Sequence, residues 1–157
     1  ATPGTARREY TQTLIHTYAF HCRVILHGAQ RLAAMAETKL AGGVVDRAAL
    51  LAEISPVFRE KQGARTDVVV LGCTHYPLLL EEMQEFAPWP VTWIDPAPAI
   101  ARRTASILAD AGKSAGLPVA VEHNTVLLTS HPKGGDHVPA GFSDAGFDKL
   151  QVVDIPL

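Results

Sequence analysis

The chain has 157 residues, enough for one typical domain with a buried core, and its 47% hydrophobic and 19% charged residues exclude a disordered or fibrous protein. Fourteen Lys and Arg against sixteen Asp and Glu give a formal charge of -2, without the basic footprint of a dedicated nucleic-acid binder. Two cysteines, Cys22 and Cys73, are too few for a disulfide framework and fit a reducing, cytoplasmic setting. No apolar run approaches the roughly 20 residues of a membrane-spanning helix. The segment Ala1 to Tyr10 carries Arg7, Arg8 and Glu9 where a secretory signal would be apolar. The chain opens on the turn-like Ala-Thr-Pro-Gly-Thr without an initiator Met, which reads as a piece of a longer protein or a processed product.

In chain order, Pro3-Gly4 punctuates before a helix from Thr5, its cap, to Ala19, with Leu14, Ile15 and Tyr18 at helical spacing. Cys22 to His27 is short and β-branched, a strand. A second helix covers Gln30 to Leu40 and stops at Gly42-Gly43. Asp46 caps a third, from Arg47 to about Gln62, with Ser55-Pro56 as a kink point. Asp67 to Gly72 is continuously apolar after its first residue, as a parallel strand covered on both faces would be. Pro77 opens a helix through Phe86, and Val91 to Ile94 is a strand. Pro96 to Gly112 is a helix with Ile100, Thr104, Ile107 and Leu108 facing inward. Thr125 to Thr129 is a strand, 130–141 a Gly/Pro-rich loop, and Leu150 to Val153 the last strand. Strands alternating with helices argue an α/β fold built on a parallel sheet.

Three signals resemble motifs without carrying one. Gly112-Lys113-Ser114 has Ile107 where a phosphate-binding loop needs its first glycine, and it ends a helix rather than opening one. His131, Asp136 and His137 share a loop, and His21 and His27 flank a strand, but no pair has zinc-ligand spacing; a polar surface loop explains them equally well, and no metal is expected. His21 and Cys22 are neighbours on a strand and point to opposite faces, so Cys22 reads as a buried structural thiol.

The informative stretch is Leu71-Gly72-Cys73-Thr74-His75-Tyr76-Pro77-Leu78-Leu79. It sets a thiol at the carboxyl end of a strand, followed at once by a helix, where open α/β sheets bind ligands. Gly72 permits a sharp turn and close approach. The amides of Thr74 and His75 lie at the helix start, whose positive field favours anions, a carboxylate or a thiolate among them. The Thr74 hydroxyl both donates and accepts. A cysteine ending a strand is more often a small buried residue; here the order of its neighbours decides otherwise.

The Cys73-Thr74-His75-Tyr76-Pro77 run closely resembles the second signature of the aspartate/glutamate racemase family. Ala1 to Thr5 with Tyr10, Ile94-Asp95 through Ala99 to Arg103, and Thr129-Ser130 with Phe142 resemble further family segments in the family's order. The resemblance implies an α/β fold: a parallel-sheet racemase-like domain over residues 1–96, with a boundary near Asp95 to Pro98. Residues 97–157 would be the closing segment of a second, incomplete α/β domain whose opening strands are not in this chain.

The implied activity is cofactor-independent two-base racemisation of L-glutamate to D-glutamate for peptidoglycan synthesis. Aspartate as the substrate, or a non-catalytic binding half, are the alternatives. The implied partners are glutamate and an amino-terminal racemase domain, with no nucleic acid, no membrane and a homodimer left open. Residue by residue, Cys73 matches the catalytic cysteine that deprotonates L-glutamate and Thr74 a substrate contact. His75 matches the residue that assists Cys73, and Glu37 a glutamate near that histidine. Thr2 and Thr5 match threonines near the substrate carboxylate. The family's first cysteine, in a Cys-Asn-Thr run, and its Asp-Ser pair are not present; Cys22, followed by Arg23-Val24, is no substitute.

Overall fold

The computed structural model describes residues 1–113, 123–131 and 137–153. The amino-terminal helix predicted over 5–19 is two helices, α1 (Pro3–Arg7) and α2 (Glu9–Tyr18), because Arg8 between them is extended at φ -70°, ψ 136°. Its cap is Thr2, whose side chain accepts from the Thr5 amide, so Thr5 lies inside the helix it was expected to start. Residues 22–27 form no strand: no ladder partner lies alongside them among the described residues, and Val24, Ile25 and Leu26 remain exposed.

Helix α3 (Leu32–Leu40) follows, then α4 (Arg47–Ile54), where Asp46 accepts from the Ala49 amide at 2.6 Å as the sequence anticipates. Helix α4 ends well before Gln62. Ser55-Pro56-Val57 tightens into one 3₁₀ turn, since proline cannot donate to the preceding turn. The chain then forms a small antiparallel hairpin, β1 (Glu60–Lys61) and β2 (Ala64–Arg65), reversed by Gln62 and Gly63, both at positive φ.

Strand β3 (Val68–Val70) pairs in parallel with β4 (Thr92–Ile94), in the register Val68 with Thr92 and Val70 with Ile94. A 3₁₀ turn (Tyr76–Leu79) and α5 (Leu80–Phe86) connect them, a right-sized crossover for parallel strands. Helix α6 (Ala97–Asp110) leads on to β5 (Thr125–Leu128), α7 (Ala140–Asp144) and β6 (Lys149–Val152), with β5 and β6 parallel. The α/β class therefore holds, and among the described residues the parallel strands form two short pairs rather than one continuous sheet.

The core gathers Leu32 and Ala36 of α3, Leu50 and Ile54 of α4, Phe58, Leu71, Tyr76, Leu79 and Met83. Each large side chain buried there contributes roughly 1.5–3 kcal/mol relative to exposure. Two sequence expectations about burial fail. Val68 and Val70 are 44% and 60% exposed, so β3 is covered on one face only, and Ile100, Ile107 and Leu108 of α6 are 55%, 51% and 40% exposed. Helix α6 has the amphipathic pattern for a core, but nothing among the described residues covers that stripe.

Candidate active site

Strand β3 delivers the chain to the site. The Leu71 amide donates to the Ile94 carbonyl at 3.0 Å, which extends the β3–β4 ladder by one residue. The Gly72 amide then folds back onto the Val70 carbonyl at 3.1 Å, and the Tyr76 amide donates to the Cys73 carbonyl at 3.2 Å. This pair of tight turns leaves Cys73 half-buried at the carboxyl end of β3, with Thr74 exposed beside it. Among the described residues the amides of Thr74 and His75 meet no acceptor.

His75 connects two elements. Its Nδ1 lies 3.9 Å from Cys73 Sγ, and its Nε2 lies 2.6 Å from Oε1 of Glu37 on α3. An ionised carboxylate can only accept, so Nε2 carries the proton of that bond, and in the neutral ring Nδ1 then presents its lone pair toward the thiol. Glu37 is itself held in place through its helix: Lys39 Nζ pairs with Glu82 of α5 at 2.8 Å, pinning α3 against the element that follows Tyr76.

The amino-terminal segment forms the neighbouring wall. The Ala1 nitrogen donates to the His27 carbonyl at 3.0 Å. A Cβ on Gly72 would stand 3.2 Å from Ala1 Cβ, so glycine permits the approach. Thr2 Oγ1 accepts from the Thr5 amide at 3.2 Å and donates to Thr5 Oγ1 at 2.9 Å. The structure thus joins Cys73, His75 and Glu37 directly, sets Thr74 next to them, and pairs Thr2 with Thr5 on the adjoining segment.

Cys22 does not join them. It is exposed rather than buried, and the Arg23 guanidinium beside it donates to the Lys61 and Ala64 carbonyls of the hairpin that precedes β3, whereas Cys73 follows β3. Among the described residues no group of three or more His, Cys, Asp or Glu could hold a metal ion. Asp136 of the histidine loop and Ser114 lie outside the described residues. Within the described residues no helix is long and apolar enough to cross a membrane.

Tyr76 escaped the sequence reading. It is buried at 2% exposure, its hydroxyl meets no partner among the described residues, and its pKa is pushed up to about 12, by burial first and then by the charges of Cys73 and Glu53. The only local signal was its place in the motif. Lys39 left no signal either, since its partner is 43 residues away.

No family model matches the chain. Curated relatives named glutamate racemase match it over 108 residues, 69% of its length. The Mesorhizobium japonicum protein is 56% identical and the Brucella canis protein 55% identical. The match covers 41% and 39% of those proteins, so the matched stretch spans about two-fifths of their length. Among solved structures, Escherichia coli glutamate racemase in complex with L-glutamate and the activator UDP-MurNAc-Ala superposes with a TM-score of 0.83 at 33% identity, covering 99% of this chain and 57% of that one. Glutamate racemase from Francisella tularensis in complex with D-glutamate shares the fold at a TM-score of 0.71 and 20% identity, covering 98% of this chain and 56% of that one.

Proposed function

Because the chain belongs to the glutamate racemase family over the stretch it shares with these relatives, we propose that it is the carboxy-terminal portion of a cytoplasmic enzyme that interconverts L- and D-glutamate for peptidoglycan synthesis. The observation that carries the reading is the line of contacts from Cys73 through His75 to Glu37. Residues 1–96 form the domain that carries this line. Residues 97–157 return to a domain formed by the upstream part of the protein, and their exposed α6 stripe is the surface that such a domain would cover.

Racemisation inverts one carbon, so it needs a base on one face and an acid on the other. The Cys73 thiol first passes its proton to Nδ1 of His75, and Glu37 balances the charge on the ring. The thiolate then takes the α-proton of L-glutamate, breaking the C–H bond and leaving the electron pair on the α-carbon, delocalised into the carboxylate. A second thiol, on the upstream domain, protonates the opposite face to give D-glutamate. The amides of Thr74 and His75 and the hydroxyls of Thr74, Thr2 and Thr5 hold the substrate's carboxylates. No step calls for a metal or an organic cofactor, and the side chains named supply every proton transfer.

The test uses the full-length protein. Circular dichroism should follow L-glutamate to a racemic mixture, at a rate unchanged by prior dialysis against a chelator and removal of pyridoxal phosphate. Faster racemisation of L-aspartate than of L-glutamate would reassign the substrate, and no turnover of either would make the protein a binding half.

A further inference from the structure

The last turn of α3 is gripped from two sides. On one, Lys39 Nζ reaches Glu82 of α5 at 2.8 Å. On the other, α7 packs against α3. Gly141 makes that approach possible: a Cβ there would stand 2.5 Å from Leu40 Cδ1, 3.1 Å from Leu40 Cα and 3.2 Å from the Leu40 carbonyl oxygen. Next to it, Ala140 Cβ lies 3.7 Å from the place where a side chain on Gly42 would begin. Gly141 is not at positive φ, so glycine is required there by lack of room and not by backbone conformation.

Glu37 begins the turn that α7 touches. The Ala41 amide donates to the Glu37 carbonyl at 3.0 Å, and Leu40 follows Glu37 by three residues, so the two side chains share a helix face. Glu37 is exposed, yet its carboxylate meets His75 Nε2 at 2.6 Å. A long, exposed side chain has rotamer freedom to lose, and it holds one position only when the backbone beneath it is held.

Helix α7 is in turn fixed to the parallel pair β5–β6. Phe142 meets Phe147 edge to face with ring centroids 5.8 Å apart, and the Phe147 amide donates to the Phe142 carbonyl at 3.0 Å. Asn124 Nδ2, at the head of β5, donates to the Gly146 carbonyl at 3.0 Å. A continuous line of contacts therefore runs from β5 through α7 and Leu40 to Glu37 and the His75 ring.

We propose that Gly141 is a positioning residue for His75: it seats α7 on Leu40, and that contact holds the last turn of α3 where Glu37 meets the ring. Its effect on turnover rests on the racemase reading, whereas its effect on the ring does not. Alanine ordinarily favours a helix over glycine. At 141 its methyl group would displace Leu40 Cδ1 and press on the backbone of α3, so the sign reverses.

Full-length protein carrying Gly141→Ala, Leu40→Ala or both provides the test. Each single variant should lower kcat for L-glutamate at least about 10-fold with little change in KM, because it misplaces the ring and not the substrate. The double variant moves the methyl volume from one side of the contact to the other and should recover most of the loss. In a Glu37→Gln background neither single change should lower kcat further, since the route to the ring is already cut. Nitrogen-15 spectra should show the His75 ring protonated at Nε2 in the wild type and as a mixture of tautomers in each single variant. If Gly141→Ala does not fold, Leu40→Ala, which only removes atoms, decides on the same readouts. A ring that responds in this way in a protein that turns over neither glutamate nor aspartate would uphold the positioning role and remove the racemase reading. Losses that multiply with Glu37→Gln, or a ring spectrum unchanged in the single variants, would overturn the proposal.

Discussion

Nε2 of His75 lies 2.6 Å from Oε1 of Glu37, although 38 residues separate them, and the same ring reaches Cys73 Sγ with its other nitrogen at 3.9 Å. The ring is thus oriented by one partner and aimed at the other. Glu37→Gln keeps the shape but replaces an obligate acceptor with a group that can also donate, so it no longer fixes the tautomer. In the full-length protein this should lower kcat roughly 10-fold or more with little change in KM, since in the proposed mechanism Glu37 acts through the His75 ring it contacts. Steady-state kinetics with L-glutamate checks it; an unchanged kcat would remove Glu37 from the machinery.

Tyr76 makes stability sensitive to alkali. Its pKa rises from 10 in the unfolded chain to about 12 in the fold, so the folded state holds the proton more tightly. Its contribution is complete below pH 10 and is lost as pH climbs through 12, by no more than about 2.7 kcal/mol for two units. Tyr76→Phe should abolish that part of the loss while leaving neutral-pH stability within about 1 kcal/mol, because the hydroxyl has no protein partner to forfeit. Urea unfolding of both proteins at pH 8 and pH 11 measures the difference.

On the acid side, the hydrogen bond from His123 is the main reason that the Asp148 carboxyl lies below its usual value, with a second bond from the Asn124 amide at 2.9 Å. These contacts tie the start of β5 to the start of β6. A depressed carboxyl stabilises the fold above its unfolded pKa of 3.8 and loses that contribution as pH falls through its lower folded value. Asp148→Asn should therefore flatten the pH dependence of the unfolding midpoint below pH 4 and speed amide exchange in β5 and β6. Identical acid profiles for the two proteins would contradict it.

The parts legible in the sequence were those with local causes. The turn from β3 into Tyr76–Leu79 follows from Gly72 and Pro77, and the α4 cap follows from Asp46. The pairing of Glu37 with His75 came through family resemblance, and nothing in the spacing of the two residues forecasts a 2.6 Å contact. What failed was whatever depended on a neighbour. Residues 22–27 have strand composition but no strand ladder among the described residues, so they form no strand. The stripe of α6 has a core pattern, but no described residue covers it. A strand at 22–27 would bury Cys22, and without that strand the thiol is exposed. The helix expected to run to Gln62 gave way to a hairpin because Pro56 breaks the helix and Gly63 offers a left-handed turn.

The 157-residue chain by itself should not racemise glutamate. It offers one thiol at the site, since Cys22 sits by the β1–β2 hairpin, and its α6 stripe and valine-lined β3 edge are open to solvent. Exposed apolar surface of that kind promotes association. Light scattering should report species larger than a monomer, and circular dichroism of either enantiomer should stay constant for hours. A monomer that interconverts the two would place a second acid/base group within this chain.

The most direct measurement follows the α-hydrogen itself. Full-length protein with Cys73→Ser, incubated with L-glutamate in D₂O, should show no deuterium at the α-carbon and no change in optical rotation, because a serine hydroxyl is far too weak an acid to supply the base. Exchange from D-glutamate, which in the proposed mechanism begins at the thiol of the upstream domain, should persist. Racemisation of L-glutamate at the wild-type rate by that variant would contradict the assignment of Cys73 as the base.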